Sequence, residues 1–356
     1  LTGTDGRREV YVVGGIAIKR LDDSARGKWD SFVSACESAT FFHRAGWKTV
    51  IEESFGHDCY FLYAERDDEI CGVLPLVHLH SRLFGNALIS NAFCVYGGAA
   101  TSDVEAQAAL YAEAEKLAAS LGVDYLELRL RTPVHEDWAR KDDLYVTFRK
   151  TMDPDPEKNL AAIPRKQRAM VRKGLKSGLA GELDEDTSRL HNVYAESVRN
   201  LGTPVFSRKY FQTLKDVFGE DCEVLTITHE GRPVAGVMSF YFRDEVVPYY
   251  GGGTSTDRKL AINDFMYWDL MRRACEAGYR VFDFGRSKRG TGAFNFKKHW
   301  GFEPEPLVHE YKLLGINDLP EINPNNPKYS LFISAWRKLP LPVANLVGPL
   351  ISRSLG

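Results

Sequence analysis

The six cysteines of this 356-residue chain (Cys36, Cys59, Cys71, Cys94, Cys222, Cys275) are scattered, and no Cys-x-x-Cys pair occurs. That spacing excludes a disulfide framework and a clustered zinc site, and it reads as the reduced thiols of an intracellular protein. No apolar run approaches the roughly 18 residues of a membrane span. The opening LTGTDGRREV holds no apolar signal region, so a cytoplasmic protein is expected. Also missing are a Gly-x-Ser-x-Gly elbow, a Walker lysine motif and His-Glu-x-x-His, which removes three large hydrolase classes. Charge of one sign is lacking as well. Lys+Arg number 46 against 48 Asp+Glu, a net charge of −2, so any anion-binding surface must be local.

What is present is a pattern that occurs twice. Residues 60–79 and 223–242 each read as two strands joined by polar turn residues, Asp67-Asp68-Glu69 in one and Glu230-Gly231-Arg232 in the other. Each is followed by Tyr-Gly-Gly, at Tyr96-Gly97-Gly98 and at Tyr250-Gly251-Gly252. Amphipathic helices are predicted at roughly 104–120 and 259–277. Ser102 or Asp103 caps the first, Thr256 or Asp257 the second, and Gly122 and Gly278 end them. Closing strands at 125–130 and 280–285 put Glu127 and Asp283 at matching places. Ordered agreement of this kind predicts an internal duplication.

Between the repeats, residues 153–159 read as a loop because prolines and acids cluster there. A helix over 164–176 projects Arg165, Arg168, Arg172 and Lys176 along one stripe, with Lys166 and Lys173 beside it. Such a face suits a polyanion, or is a solvated surface balanced by the acids at 182–186. Further helices are expected near 187–201 and 208–218. The GTPVFS segment between them, with Asn200, Thr203 and Ser207, reads as a cleft loop. Gly290 to Phe296 reads as a glycine-containing loop folding over a ligand. Past a Pro/Asn-rich linker comes an apolar tail with Arg337, Lys338 and Arg353, expected to dock on the first domain or to lie at a membrane interface.

This order of elements, with the sequences at 193–211, 249–287 and 290–304, resembles the FemABX family of tandem GNAT-like aminoacyl transferases. Within it, the FemAB-related branch associated with PEP-CTERM/exosortase loci is the most similar. The resemblance implies an α+β fold of two tandem GNAT-like (acyl-CoA N-acyltransferase) domains. These would span 8–150 and 151–312, followed by a linker and tail over 313–356. It implies an N-acyl or aminoacyl transferase that joins an activated acyl group to an amine of a cell-envelope (peptidoglycan) or exopolysaccharide precursor. The donor would be acyl-CoA or aminoacyl-tRNA, with no metal or cofactor required. A CoA-dependent enzyme for small amines and a silent precursor-binding module are the alternatives. The usual GNAT pyrophosphate turn, Q/R-x-x-G-x-G/A, is not matched at either Tyr-Gly-Gly.

By the same resemblance Phe296-Lys297 lies at the active site. Lys297 would stabilise the developing oxyanion or hold a donor phosphate; otherwise it is a solvated lysine in the basic stretch Arg286, Lys288, Arg289, Lys297, Lys298. Asp283 is a second catalytic candidate with a structural role as its rival. Arg286, Lys298, Tyr250, Gly251, Gly252, Arg168, Arg172 and Thr203 are expected to bind donor or acceptor. The membrane, if touched, would be met peripherally at its inner face. No side chain stands out as the base that deprotonates the amine.

Overall fold

The computed structural model describes residues 11–13, 15–81, 85–255, 258–319 and 327–355. The chain opens with β1 (Tyr11–Val13), β2 (Ile16–Arg20), α1 (Arg26–Ala35) and α2 (Gly46–Phe55). Strands β3 (Asp58–Cys59), β4 (Leu62–Arg66), β5 (Glu69–Leu74), β6 (Leu76–Ser81) and β7 (Gly85–Ser90) lead into α3 (Val104–Leu121) and β8 (Tyr125–Leu130). Next come β9 (Ala139–Thr147), β10 (Arg149–Thr151), α4 (Pro156–Ala162), α5 (Arg165–Lys176), β11 (Leu179–Asp184), α6 (Ser188–Leu201) and α7 (Arg208–Phe218). The second repeat follows as β12 (Cys222–His229), β13 (Arg232–Phe242), β14 (Glu245–Gly253), α8 (Ile262–Glu276) and β15 (Val281–Asp283). Last are β16 (Ser287–Lys288), α9 (Gly292–His299), β17 (Glu305–Leu313), α10 (Pro327–Trp336) and α11 (Leu341–Ser352).

The duplication is visible in the sheets. Both predicted hairpins turn on two left-handed residues, Asp67 (φ 51°) and Asp68 (φ 64°), and Glu230 (φ 51°) and Gly231 (φ 75°). In each half a strand then pairs in parallel with the strand after its helix, β7 with β8 and β14 with β15. Tyr125 and Val281 open those parallel pairs, so Glu127 and Asp283 each stand two residues in.

The halves also exchange strands. One sheet has the order β16-β9-β17-β8-β7-β6-β3, so β17, which follows the second repeat, fills the first repeat's sheet between β8 and β9. A second has the order β10-β15-β14-β13-β12-β11, edged by the direct continuation of β9, and a small third sheet has the order β1-β2-β4-β5. No single cut of the chain separates the two larger sheets. Their largest core cluster is shared too, with Trp29, Phe41 and Trp47 packed among Leu214, Phe218 and Phe240. Each such side chain contributes about 1.5–3 kcal/mol by leaving water.

Several local expectations are corrected. Residues 156–162 are helical, because the Asp155 carboxylate accepts from Glu157 N and Pro156 sits in the first turn, where its missing N–H costs nothing. Helix α8 starts at Ile262 after a left-handed Ala261 (φ 60°), and its expected caps Thr256 and Asp257 lie outside the described residues. The segment ending at Phe296 is not a loop but enters α9, capped by Thr291. The 202–205 stretch is no cleft: a Cβ on Gly348 of the tail would stand 3.0 Å from Val205 N, and Ser352 Oγ donates to Val205 O at 3.1 Å. The tail therefore docks on the second half, and Arg353 reaches the first by donating to Phe55 O at 2.7 Å.

Gly97 shows how tightly the first Tyr-Gly-Gly is held, since a Cβ there would sit inside the Ser90 carbonyl. Gly97→Ala must move backbone, and a loss of about 1–3 kcal/mol is expected, read as a lower thermal midpoint.

Candidate active site

The end of β15 is where the halves meet chemically. Asp283 is fully buried and accepts from the Tyr96 hydroxyl at 2.6 Å, Thr147 Oγ1 at 3.0 Å and Gly285 N at 2.7 Å. Arg149 Nε stands 3.4 Å away, and the same guanidinium pairs with Glu245. Burial, reinforced by the neighbouring Asp283 charge, raises the Tyr96 phenol well above its ordinary range. Burial and Asp283 likewise raise the Glu245 carboxyl to about 7. Asp283 is thus enclosed by donors, three of whose residues come from the first half of the chain.

Lys297 sits on the inner face of α9. Its Nζ donates to Phe284 O at 2.6 Å, Gly285 O at 2.9 Å and Arg286 O at 3.3 Å. An ammonium has three N–H donors, so this arrangement uses all of them on the turn after β15. Burial lowers the group to about 7, with Asp283 opposing and Arg286 assisting. Phe296 beside it packs against Tyr267 and Trp300, at ring distances of 5.5 and 5.9 Å. Lys297 therefore fixes the path of residues 284–286 and with it the place where Arg286 emerges.

Arg286 lies with its guanidinium 4.8 Å from the centre of the Tyr145 ring. Both line a cavity of about 280 Å³ against the exchanged strand β17, together with Lys141, Tyr125 and Tyr311. The same cavity is lined by three residues that sequence reading did not assemble, Glu127, Arg129 and His309. Glu127 Oε1 receives Arg129 Nε at 2.9 Å and lies 3.0 Å from His309 Nδ1. Burial by itself would raise the Glu127 carboxyl, but Arg129 and His309 outweigh it and hold the group well below the usual carboxylate range.

The proton positions follow. An ionised carboxylate only accepts, so His309 Nδ1 carries the hydrogen that bridges to Glu127. Burial holds His309 below its ordinary value of 6.5 despite the carboxylate, so the ring is neutral and has a single N–H. Its Nε2 is then a bare lone pair, buried and without a hydrogen-bond partner among the described residues. The signal available in the sequence was a histidine and a glutamate, His309-Glu310, inside a strand-like apolar run. Their meaning depended on which strand that run would join.

The remaining candidates fall elsewhere. Arg168 and Arg172 line a depression of about 530 Å³ on α5 with Arg165, Lys173 and Lys176, as the helical stripe implied. Pro164, just before α5, packs on Gly301 just after α9, and Lys298 is exposed on α9. Tyr250 is buried, its hydroxyl 2.7 Å from that of Tyr210. A Cβ at Gly251 would come 3.2 Å from the Tyr267 hydroxyl, and one at Gly252 would come 2.6 Å from Ser197 Cβ. These glycines admit α8 and α6 to the sheet instead of a ligand. Thr203 is exposed beside the docked tail. The first amides of α3 are occupied, as is the Ser255 amide ahead of α8. The Asp103 carboxylate takes Glu105 N and Ala106 N at 2.9 and 3.1 Å, and Glu196 takes Ser255 N at 3.1 Å.

Residues 162–298 match the family model of the acetyltransferase (GNAT) domain. The chain is similar to the crystal structure of FemX, with a TM-score of 0.63 at 15% identity, covering 89% of this chain and 99% of that one. The fold is a tandem GNAT fold. A tandem GNAT protein from the clavulanic acid biosynthesis pathway is similar at a TM-score of 0.54 and 14% identity, over 85% of this chain and 100% of that one. So is the C-terminal domain of a putative lysylphosphatidylglycerol synthetase from Agrobacterium fabrum, with a TM-score of 0.55 and 13% identity over 81% and 91%. No curated protein matches in sequence. In this tandem GNAT chain, the parallel pairs β7–β8 and β14–β15 carry the buried acids Glu127 and Asp283. One acid orients a histidine and the other ties the halves together.

Proposed function

We propose that this tandem GNAT protein is an N-acyl or aminoacyl transferase, and that His309 is its general base. The observation that carries the reading is the unpartnered Nε2 of a neutral His309 whose Nδ1–H is held by Glu127. An acceptor amine attacks the activated carbonyl of the donor, the C–N bond forms and the donor's C–O or C–S bond breaks. The proton lost by nitrogen goes to His309 Nε2, which substrate must uncover on entering the cavity, and from there to the departing oxygen or sulfur. Arg286 and Lys141 give the cavity a positive surround that disfavours the ammonium form of the acceptor and favours the nucleophilic amine. Tyr125, Tyr145 and Tyr311 line the cavity with aromatic surface suited to a sugar or peptide portion. These features suit an amine on a cell-envelope or exopolysaccharide precursor, and the likeness to FemX supports that class.

The donor is anionic in this reading and is held by Arg168, Arg172 and their neighbours, which line the basic depression on α5. Lys297 acts by holding the turn that presents Arg286 and by the charge it places there. No metal or organic cofactor is needed. The test is a titration of the purified protein with charged tRNA, uncharged tRNA and acetyl-CoA at two salt concentrations. Salt-sensitive binding that prefers charged tRNA is expected, with Arg172→Ala reducing the salt slope by about 1. Binding of acetyl-CoA alone would favour the CoA-dependent alternative that the acetyltransferase match also fits. Binding of none of the three would overturn the assignment of the donor.

A further inference from the structure

We infer that α10 and α11 lay this protein on the surface of an anionic lipid bilayer. The inference does not depend on the reaction proposed above. Helix α11 is built the wrong way round for water. Its small residues Ala344, Gly348 and Ser352, four apart, face inward onto the 202–205 stretch. Leu341, Val347 and Ile351 are half-buried beside them, whereas Val343, Leu346 and Leu350 face outward, the two leucines 76% and 69% exposed. A helix docked from water on a protein core keeps a polar outer face; this one presents an apolar one.

Helix α10 also exposes apolar side chains, though it buries large ones as well. Ile333 packs on Gly202 and Trp336 is buried, whereas Leu331 is 77% exposed and Phe332 is exposed beside it. Leu201, at the end of α6, adds to the same patch, for Arg337 donates to Leu201 O at 3.3 Å and Leu201 is itself exposed. The charges agree with an anionic surface. From 327 to 355 the sequence carries Lys328, Arg337, Lys338 and Arg353 and no Asp or Glu. The helices have 10 and 12 residues, at about 1.5 Å per residue far short of a bilayer core, and no helix among the described residues is long and apolar enough to cross one. Short helices with an outward apolar stripe and basic flanks lie in the interface plane.

The test is co-sedimentation of the full chain with phosphatidylcholine vesicles and with vesicles containing roughly one third phosphatidylglycerol. The protein is expected to pellet with the anionic vesicles and to be released as salt rises. The double variant Leu346→Glu/Leu350→Glu changes only exposed positions. It should keep the wild-type circular dichroism spectrum and thermal midpoint while its bound fraction falls about tenfold. Wild-type protein that stays in the supernatant with anionic vesicles would overturn the inference, as would a folded double variant that binds them like wild type. A dimer that the double variant abolishes, with no lipid binding by either protein, would assign the patch to a second copy and also overturn it.

Discussion

Asp283→Ala is expected to destabilise the protein by about 3–5 kcal/mol. The carboxylate is fully buried and serves four groups, the Tyr96 and Thr147 hydroxyls, Gly285 N and the Arg149 guanidinium. Its removal orphans the buried Tyr96 and Thr147 hydroxyls and Gly285 N, and leaves the half-buried Arg149 with Glu245 alone as its carboxylate. The damage also falls on the seam, since Asp283 is the residue of β15 that faces Arg149 on exchanged β10. Tyr96→Phe removes one donor to the same carboxylate and should cost less, about 1.5–3 kcal/mol. Urea unfolding curves of the two variants and wild type measure this. An Asp283→Ala midpoint equal to wild type would show that the network does not hold the halves together.

His309→Gln is expected to lower turnover by about 10²–10⁴-fold while leaving donor affinity unchanged, because the donor is assigned to α5 and not to β17. The pH profile separates loss of a base from loss of structure. Burial keeps His309 below 6.5, so the wild-type rate should rise with pH on an acidic limb centred below that value, where the imidazolium gives up its proton and begins to accept one. The variant should lose that limb. Glu127→Gln should lose most of the rate and some stability too, because an amide neither fixes the ring's tautomer nor balances the buried Arg129 charge. Equal turnover in His309→Gln and wild type would remove the histidine from the chemistry.

Much of the fold was legible because it is written locally. Asp67-Asp68 and Glu230-Gly231 announce their turns, and the Asp103 cap and left-handed Gly122 bound α3 where the periodicity puts it. The stripe of α5 follows from 100° per residue and nothing else. The exchange of β10 and β17 was not legible, since strand pairing across the chain leaves no mark within either strand. The site shows the same division. Glu127 and His309 are 182 residues apart and meet only because β17 crosses to the first sheet. Lys297 was found by resemblance, but that it turns inward onto three carbonyls required the helix that replaced an expected loop. Gly251 and Gly252 misled for a physical reason: room for a ligand and room for a packed helix ask for the same residue.

The central claim is that His309 is a neutral imidazole with its proton on Nδ1 and a bare Nε2. Long-range proton–nitrogen correlation spectra of histidine-labelled protein test it directly, with His309 assigned by its absence in His309→Gln and no substrate required. The account predicts one protonated and one unprotonated ring nitrogen at pH 7, the proton on Nδ1, and a titration below 6.5. An imidazolium at pH 7, or a proton on Nε2, would contradict it.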